Sequence, residues 1–485
     1  MIRLRSITLN GFKNVGHGEV ALSTWKKGEP APDADIVGIY GQNGSGKTSV
    51  IQALGIVKHL WSGKGIRNVA ADCVSKESDE AEIVVEGVLF NNETQEADLL
   101  FVYKVTFTES SNGPSPIGEE LACKDLSRKE PMRTLLSYSL KDGGHWGYEL
   151  KPKQFWKDIM SLDEDAKTGL AVAQRLSADK SCSLVFSNDF FLLAGELSNK
   201  TVGKAKSNAK SKTAGGVGKT LGSASALAML WQLITGMKLF ALTDLAVVAV
   251  SQYAVSMLNH LHIATHEGEL GRLADASFIV NLAEPATLNE KQLNDLRNTV
   301  EKMTPVLSAL VPGLSLGVVQ LGGMLGDDGT PAERVEITCT RGGTTVPLRC
   351  ESEGIKKLVS ILTLLIDVYS KPGACVAIDE LDSGVFEFLL GEILQVLQNH
   401  GRGQLIFTAH NLRPLETLNK GSLVFTTTNP ERRYIKFRGS REKSNLRSQY
   451  LRAINLGGQA ETVYEPTNIF DIDGAFYDSG FPENG

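Results

Sequence analysis

Cysteine is scarce in this chain of 485 residues: Cys73, Cys123, Cys182, Cys339, Cys350 and Cys375 stand far apart, with no pair at C-x-x-C spacing. That absence excludes a zinc ribbon or a C-x-x-C zinc hook, and the scatter suits free, buried thiols in a reducing cytosol. Charge of one sign is lacking too. The 50 Lys+Arg against 56 Asp+Glu leave a net charge of −6. Bulk charge therefore gives no ground for a nucleic-acid coat protein, and contact with DNA or RNA has to come from a local patch. The N-terminus lacks the apolar run of a signal peptide; Met1-Ile2-Arg3-Leu4-Arg5-Ser6-Ile7 alternates like a strand. With 42% apolar and 22% charged residues, the chain can bury a core and wholesale disorder is excluded. Its length suggests roughly three domain-sized units.

One window lacks charge altogether. Leu245 to His266 carries no Asp, Glu, Lys or Arg, and its length is about a bilayer's worth of helix. Ser251, Gln252, Tyr253, Ser256, Asn259 and three histidines interrupt it, so it reads as a buried helix of a soluble protein, and no membrane contact is expected. His260, His262 and His266 could suggest a metal, with 262 and 266 on one helix face, but no nearby Cys or Asp completes a shell.

Along the chain, residues 1–110 hold short strand-like runs at Ile2–Leu9, Ile36–Tyr40, Ala81–Phe90 and Leu99–Phe107, with a helical run from Lys47 to Leu60 among them. Residues 111–310 read as mainly helical. Within them, Ser198–Ala226 is rich in Ser, Ala, Gly and Lys (Lys200, Lys204, Lys206, Lys210, Lys212, Lys219) and reads as a flexible solvated loop or, alternatively, a phosphate-touching arm. Over 311–440 strand and helix alternate again, and 441–485 is a tail. The expected fold is α/β, one domain in two lobes split by a large, mainly helical insertion.

The strongest motif is Gly41-Gln42-Asn43-Gly44-Ser45-Gly46-Lys47-Thr48, which satisfies G-x-x-x-x-G-K-[ST] between a strand and a helix. Glycines let the loop turn its N–H groups toward phosphates, and the helix N-terminus adds a favourable dipole. Asn43, Gly44, Ser45 and Gly46 form the cradle, Lys47 reaches the β/γ-phosphates, and the Thr48 hydroxyl ligates Mg²⁺. Gly215-Gly216-Val217-Gly218-Lys219-Thr220 is a decoy, since Thr213 replaces the first glycine and no strand precedes it.

Cys375-Val376-Ala377-Ile378 is an apolar strand ending in Asp379 and Glu380. In nucleotide hydrolysis the first acid supports Mg²⁺ and the second positions or deprotonates the attacking water. The strand Leu405–Thr408 ends in Ala409-His410-Asn411, which puts a histidine where it can touch a γ-phosphate. Ser352 and Gly354, in Glu351-Ser352-Glu353-Gly354-Ile355-Lys356-Lys357, open a helix and make an anion site there.

Phosphate loop, S-x-G at a helix start, D-E after an apolar strand, then a strand-end histidine: this order resembles the ABC-type ATPase superfamily. The resemblance implies ATP and Mg²⁺ as cofactors, and ATP sandwiched between two heads with Ser352 and Gly354 completing the partner copy's site. The long gap between Thr48 and Ser352 resembles the SMC/RecF/OLD-like branch. So do the opening Leu9-Asn10-Gly11-Phe12-Lys13-Asn14 and the run Asp379-Glu380-Leu381-Asp382-Ser383-Gly384. No sustained heptad pattern marks a long coiled coil. Too few residues follow His410 for a TOPRIM nuclease domain, and Asp471 and Asp473 make only an isolated D-x-D.

Lone heads of this kind resemble the ATPase subunits of bacterial phage-defence systems. That implies a sensor or switch, a head-to-head dimer or a larger assembly of dimers. It would hold and release or activate a TOPRIM-type nuclease or other effector chain, with a phage protein as trigger. The alternatives are a RecF-like DNA-repair ATPase that clamps DNA on ATP-driven dimerisation, and a scaffold that binds ATP mainly to silence a toxic partner. The basic stretch Arg432–Arg452 (Arg432, Arg433, Lys436, Arg438, Arg441, Lys443, Arg447, Arg452) is the candidate DNA or partner contact, or else a solvated strand edge. Gln154 and Gln174 are the candidates for the family's Q-loop glutamine.

Overall fold

The computed structural model describes residues 1–128, 130–140, 148–161, 163–208, 217–249, 260–264, 277–326, 329–437 and 446–480. Two sheets carry the fold. The strands β1 (Ile2–Phe12), β2 (Val15–Ala21), β4 (Ala81–Phe90), β5 (Ala97–Thr108), β6 (Ser115–Asp125) and β7 (Arg133–Ser139) pair antiparallel in the order β2-β1-β4-β5-β6-β7. Their sequences alternate as a one-sided sheet requires: β5 buries Leu99, Phe101, Tyr103, Val105 and Phe107 and turns the residues between them outward.

The second sheet begins with β3 (Asp35–Tyr40), buried at every position, and the helix α1 (Lys47–Trp61) that follows it lies between the two sheets. Val50, Ile51, Leu54, Val57 and Leu60 fill that core, and Trp61 meets Phe101 and Tyr103 edge-on at 6.1 and 5.7 Å.

After β7 come the helices α2 (Lys153–Met160), α3 (Ala166–Asp179), α4 (Asn188–Asn208) and α5 (Val217–Thr243). Ser225–Thr243 is long and apolar enough to cross a membrane, but Leu227, Leu230, Leu233, Ile234, Met237 and Phe240 pack into the core around α1. A short strand β8 (Leu245–Val248), the hairpin β9 (His260–Ala264) and β10 (Ser277–Asn281), and β11 (Ala286–Leu288) lead to α6 (Glu290–Leu310). Asn289 caps α6 with a reciprocal capping box to Gln292, and Leu293, Leu296, Val300, Met303 and Leu307 are buried along it at helical spacing. That face packs on a small sheet of β11, β12 (Leu314–Leu325), β13 (Pro331–Arg341) and β14 (Thr344–Pro347).

The helix α7 (Glu353–Ser370) then delivers β15 (Cys375–Ile378), and α8 (Glu387–His400) delivers β16 (Gln404–Thr408). After α9 (Pro414–Thr417), β17 (Leu423–Thr426) and β18 (Tyr434–Ile435) finish the second sheet, whose order is β18-β17-β3-β16-β15-β8. All its neighbours are parallel except β18 on β17. The strands read as unbroken apolar runs because helices cover both faces, α1 on one side and α7, α8, α9 and α10 (Leu446–Leu456) on the other. Buried Gln404 ties the sheets together, accepting from the Leu4 N–H and donating to the Leu4 carbonyl, both at 2.9 Å. The chain closes with α11 (Ile469–Gly480), which has no buried residue.

Four expectations change. The boundary at residue 110 falls inside a sheet, since β6 and β7 pair onto the open edge of β5, and residues 109–114 only turn the hairpin between β5 and β6. Within residues 111–310 the described helices are α2–α5 and α6, with the strands β8–β11 between them. Leu245–His266 is not one helix: Leu245–Val248 is a strand parallel to β15, and His262 lies in a strand, so the helix face shared with His266 does not form; His266 itself lies outside the described residues. The helices α4 and α5 enter the lysine-rich stretch, while Lys210 and Lys212 lie outside the described residues. Finally, five cysteines are buried and free, but Cys350 is exposed.

Candidate functional site

The parallel sheet sets the geometry. β16 lies between β3 and β15, so the loop after β3, the acids after β15 and Thr408 at the end of β16 meet at one edge. Beyond β3 the chain turns through Gly41–Gly46, and Gly46 precedes the helix at φ 90°, a left-handed conformation that an L side chain adopts at a cost of about 1 kcal/mol. Lys47 is buried and folds back, its Nζ donating to the Gly41 and Gln42 carbonyls at 2.8 and 3.0 Å. Burial pushes its ammonium below the usual lysine range, against the pull of Asp379, Glu380 and Asp382.

The loop is braced from outside. Asn14, at the turn between β1 and β2, donates to the Gly44 carbonyl, and the Tyr434 hydroxyl donates to the Gly46 carbonyl at 2.7 Å. Ser45 is buried beneath the loop, donating to the Gln42 carbonyl at 2.6 Å.

Asp379 is 1% exposed, and its Oδ1 accepts from the hydroxyls of Thr48, at 3.2 Å, and Thr408. The Thr408 hydroxyl also accepts from the Glu380 N–H at 2.8 Å, which fixes Glu380 at φ 48°. A left-handed glutamate stores about 1–3 kcal/mol of strain, a feature that concentrates at functional sites. Among the described residues, no donor meets the Glu380 carboxylate. Asp382 accepts from the backbone N–H of His410 and Asn411, at 2.8 and 2.7 Å, and so sets the exposed His410 at the mouth.

Asn43, Gly44, Gly46, Lys47, Thr48, Asp379, Glu380 and His410 thus line one cavity of ≈ 350 Å³. Hard oxygen donors on Thr48 and Asp379 beside a lysine on a glycine-rich turn form a donor set suited to Mg²⁺ and phosphate.

Ser352 and Gly354 stand apart from that cavity. Ser352 is exposed and caps α7, its hydroxyl accepting from the Ile355 N–H at 3.4 Å. Gly354 lies against the turn after the acids, where an added Cβ would sit 2.4 Å from the Gly384 carbonyl oxygen.

Other candidates are placed elsewhere. Gln154 donates to Asp158 and Gln174 to the Tyr148 carbonyl, and neither lines the cavity. The basic stretch is not one free patch. Arg432 pairs with Glu461, buried Arg433 donates to the Thr427 and Asn14 carbonyls, Lys436 donates to the Gly421 carbonyl, and Arg447 pairs with Glu416. Arg438, Arg441 and Lys443 lie outside the described residues, as do Gly215 and Gly216 of the decoy loop, whose remainder, from Val217, belongs to α5. Thr408 and Asp382 are the contributors sequence reading missed. D-E-x-D offered a signal for Asp382; Thr408 had none, because its partner is set by the register of β15 on β16.

Solved structures to which the chain is similar are heads of SMC proteins. The SMC head domain with an extended coiled coil bound to the C-terminal domain of ScpA, from Pyrococcus furiosus, is 13% identical, with a TM-score of 0.41, over 90% of this chain and 96% of that one. The SMC head domain with a coiled coil and joint from Pyrococcus yayanosii is 12% identical, with a TM-score of 0.38, over 93% and 99%. The SMC head domain from Thermotoga maritima is 14% identical, with a TM-score of 0.34, over 90% and 100%. No protein-family model matches the chain, and no curated protein does.

Proposed function

We propose that this chain binds and hydrolyses ATP as an ABC-type head of the SMC/RecF/OLD-like branch, acting in pairs as a switch on a separate effector chain. One juxtaposition carries the proposal: Lys47 and Thr48 from one lobe meet Asp379, Glu380 and His410 from the other around a single cavity. Lys47 exchanges its loop carbonyls for phosphate oxygens. Glu380 orients water and takes its proton, and His410 contacts the terminal phosphate. Thr48 and Asp379 would hold Mg²⁺, which would supply charge neutralisation at the phosphates. A second cavity of ≈ 800 Å³, which also reaches Lys13 and Asn14, offers room for ribose and base.

The exposed Ser352 cap, outside its own cavity, supports a role in the site of a second copy. Asp471 and Asp473 lie on α11, outside the cavity, and the nuclease chemistry is assigned to the effector chain. A TOPRIM-type nuclease held by the ATP-bound pair and released on hydrolysis, as an antiphage response, fits that division of labour.

ATP turnover by purified protein is the test. Glu380→Gln should still bind ATP, while kcat falls about 10²–10⁴-fold because the water loses its base. Unchanged turnover removes the ATPase assignment. For the switch role, a nuclease chain that co-purifies with wild type should stay bound to Glu380→Gln after ATP is added.

A further inference from the structure

The small sheet has one edge that nothing covers. Its order is β11-β13-β12, so β12 is bonded along one side to β13, and its other side is free among the described residues. The far side of β13, by contrast, is closed by β11 and β14 together. From Ser315 to Leu325 the backbone of β12 makes no hydrogen bond beyond that with β13 among the described residues.

A free edge templates pairing with another chain, and folded proteins protect such edges with charge, proline or a covering element. β12 has none of these. Leu314 to Gly326 holds no Asp, Glu, Lys, Arg or Pro. The core beneath α6 takes in Leu314, Leu316 and Val318 only, while Val319, Leu321, Met324 and Leu325 are 44%, 49%, 45% and 68% exposed. A bulge between Gln320 and Gly322 is the one irregularity. Bulges do not stop pairing in this molecule: β5 carries register shifts toward both β4 and β6 and pairs with each.

The occupant that suits an uncharged, apolar edge is itself uncharged and apolar, which a second β12 is. A two-fold axis brings identical edges together antiparallel, the sense in which they close into a pair and leave neither edge open. The flanking charges agree. Exposed Arg341 stands opposite Leu314 at one end of β12. Toward the other end Glu333 leans over Gly323, its Oε1 3.8 Å from where a Cβ would stand, whereas nothing comes within 4 Å of that place at Gly322, opposite Arg334. Antiparallel pairing sets the arginine end of one copy beside the glutamate end of the other.

We propose that the free edge of β12 is an interface between two copies of this chain, paired antiparallel about a two-fold axis near Leu321. It needs no nucleotide and is separate from the Ser352 contact, so it stands or falls independently of the ATPase reading.

Sedimentation velocity on nucleotide-free protein, up to about 100 µM to populate a small interface, is the test. Wild type should be a dimer that dissociates on dilution. Leu321 is skipped in the register with β13, so replacing it leaves that ladder intact. Leu321→Lys should weaken the dimer at least about thirtyfold, with the thermal midpoint of the diluted monomer unchanged. Leu321→Glu should do the same. An equimolar mixture of the two should recover the dimer, because the substituted positions meet across the axis. Leu325→Lys, at the most exposed position, is the second variant and should also weaken the dimer. A monomeric wild type overturns the proposal and gives the edge to a strand of a different chain. A dimer unmoved by both lysine variants, or a mixture that stays monomeric, overturns it as well.

Discussion

Two buried acidic centres in this molecule are built in opposite ways. Glu119, on β6, is 2% exposed, and both of its oxygens are fully engaged. Oε1 accepts from the hydroxyls of Tyr103, at 2.6 Å, and Ser183; Oε2 accepts from the Tyr138 hydroxyl and the Leu184 N–H, both at 2.8 Å, and from the Val185 N–H at 3.4 Å. Every partner is a hydroxyl or a backbone N–H. Burial, reinforced by the Glu119 charge, pushes Tyr103 and Tyr138 well above the ordinary tyrosine range, so both remain donors. Asp379 is as deeply buried but, among the described residues, meets only two hydroxyls, and Glu380 meets none with its carboxylate. Saturated lone pairs make an acid a fastener; lone pairs left open beside a cavity make it a ligand or a base.

The largest expected effect separates the two by exchanging their failures. Glu119 joins the antiparallel sheet to the Ser183–Val185 turn that leads into α4. Glu119→Leu leaves two buried N–H groups and three hydroxyls without an acceptor, and should cost at least about 4 kcal/mol. Calorimetry should register a lowered midpoint, and protease should cut first near residues 183–185. Turnover per folded molecule should stay at the wild-type value, the converse of Glu380→Gln. A wild-type midpoint in Glu119→Leu would erase the distinction.

A smaller effect is expected where one donor is removed on the open side. Thr408→Val keeps the shape of the side chain and takes away the hydroxyl shared by Asp379 and the Glu380 N–H. Left-handed Glu380 then loses the contact that fixes it. Turnover should fall about tenfold, with a higher Mg²⁺ concentration needed for half-maximal rate, while the thermal midpoint drops by an amount equivalent to about 1–2 kcal/mol. A drop in stability with turnover unchanged would move Thr408 to the fastener class.

What the sequence disclosed follows the same division. The phosphate loop between β3 and α1, the acids after Cys375–Ile378 and the histidine after β16 could all be placed beforehand, because each is a local pattern: a glycine spacing, an apolar run, a strand end. Contacts that depend on register across the sheet could not. Thr408 reaches Asp379 only because β15 and β16 are parallel neighbours with Ile378 opposite Phe407. β8 was invisible as a strand for a related reason: Leu245–Val248 is a short, uncharged apolar run at the edge of the sheet, and four apolar residues carry no periodicity that tells a strand from a helix. Glu119 gave no signal at all, since its acceptors are spent on residues sixteen to sixty-six positions away.

The finest test removes one donor from the saturated side. Tyr138→Phe deletes a single hydroxyl among the five donors around Glu119 and keeps the ring, which stacks on Tyr148 with centroids 4.6 Å apart. Oε2 still accepts from the Leu184 and Val185 N–H groups, so the carboxylate remains satisfied, and the loss is one hydrogen bond to a charged acceptor, about 1–2 kcal/mol. The thermal midpoint should fall slightly, with turnover and Mg²⁺ dependence untouched. Set beside Thr408→Val, which also removes one hydroxyl from a buried acid, it isolates what the surplus of donors does: with five, a single loss is absorbed as a small change in stability; with two, it should reach the chemistry. A turnover defect in Tyr138→Phe as large as that in Thr408→Val would mean that Glu119 is coupled to the cavity, and the saturated acid would no longer be a passive fastener.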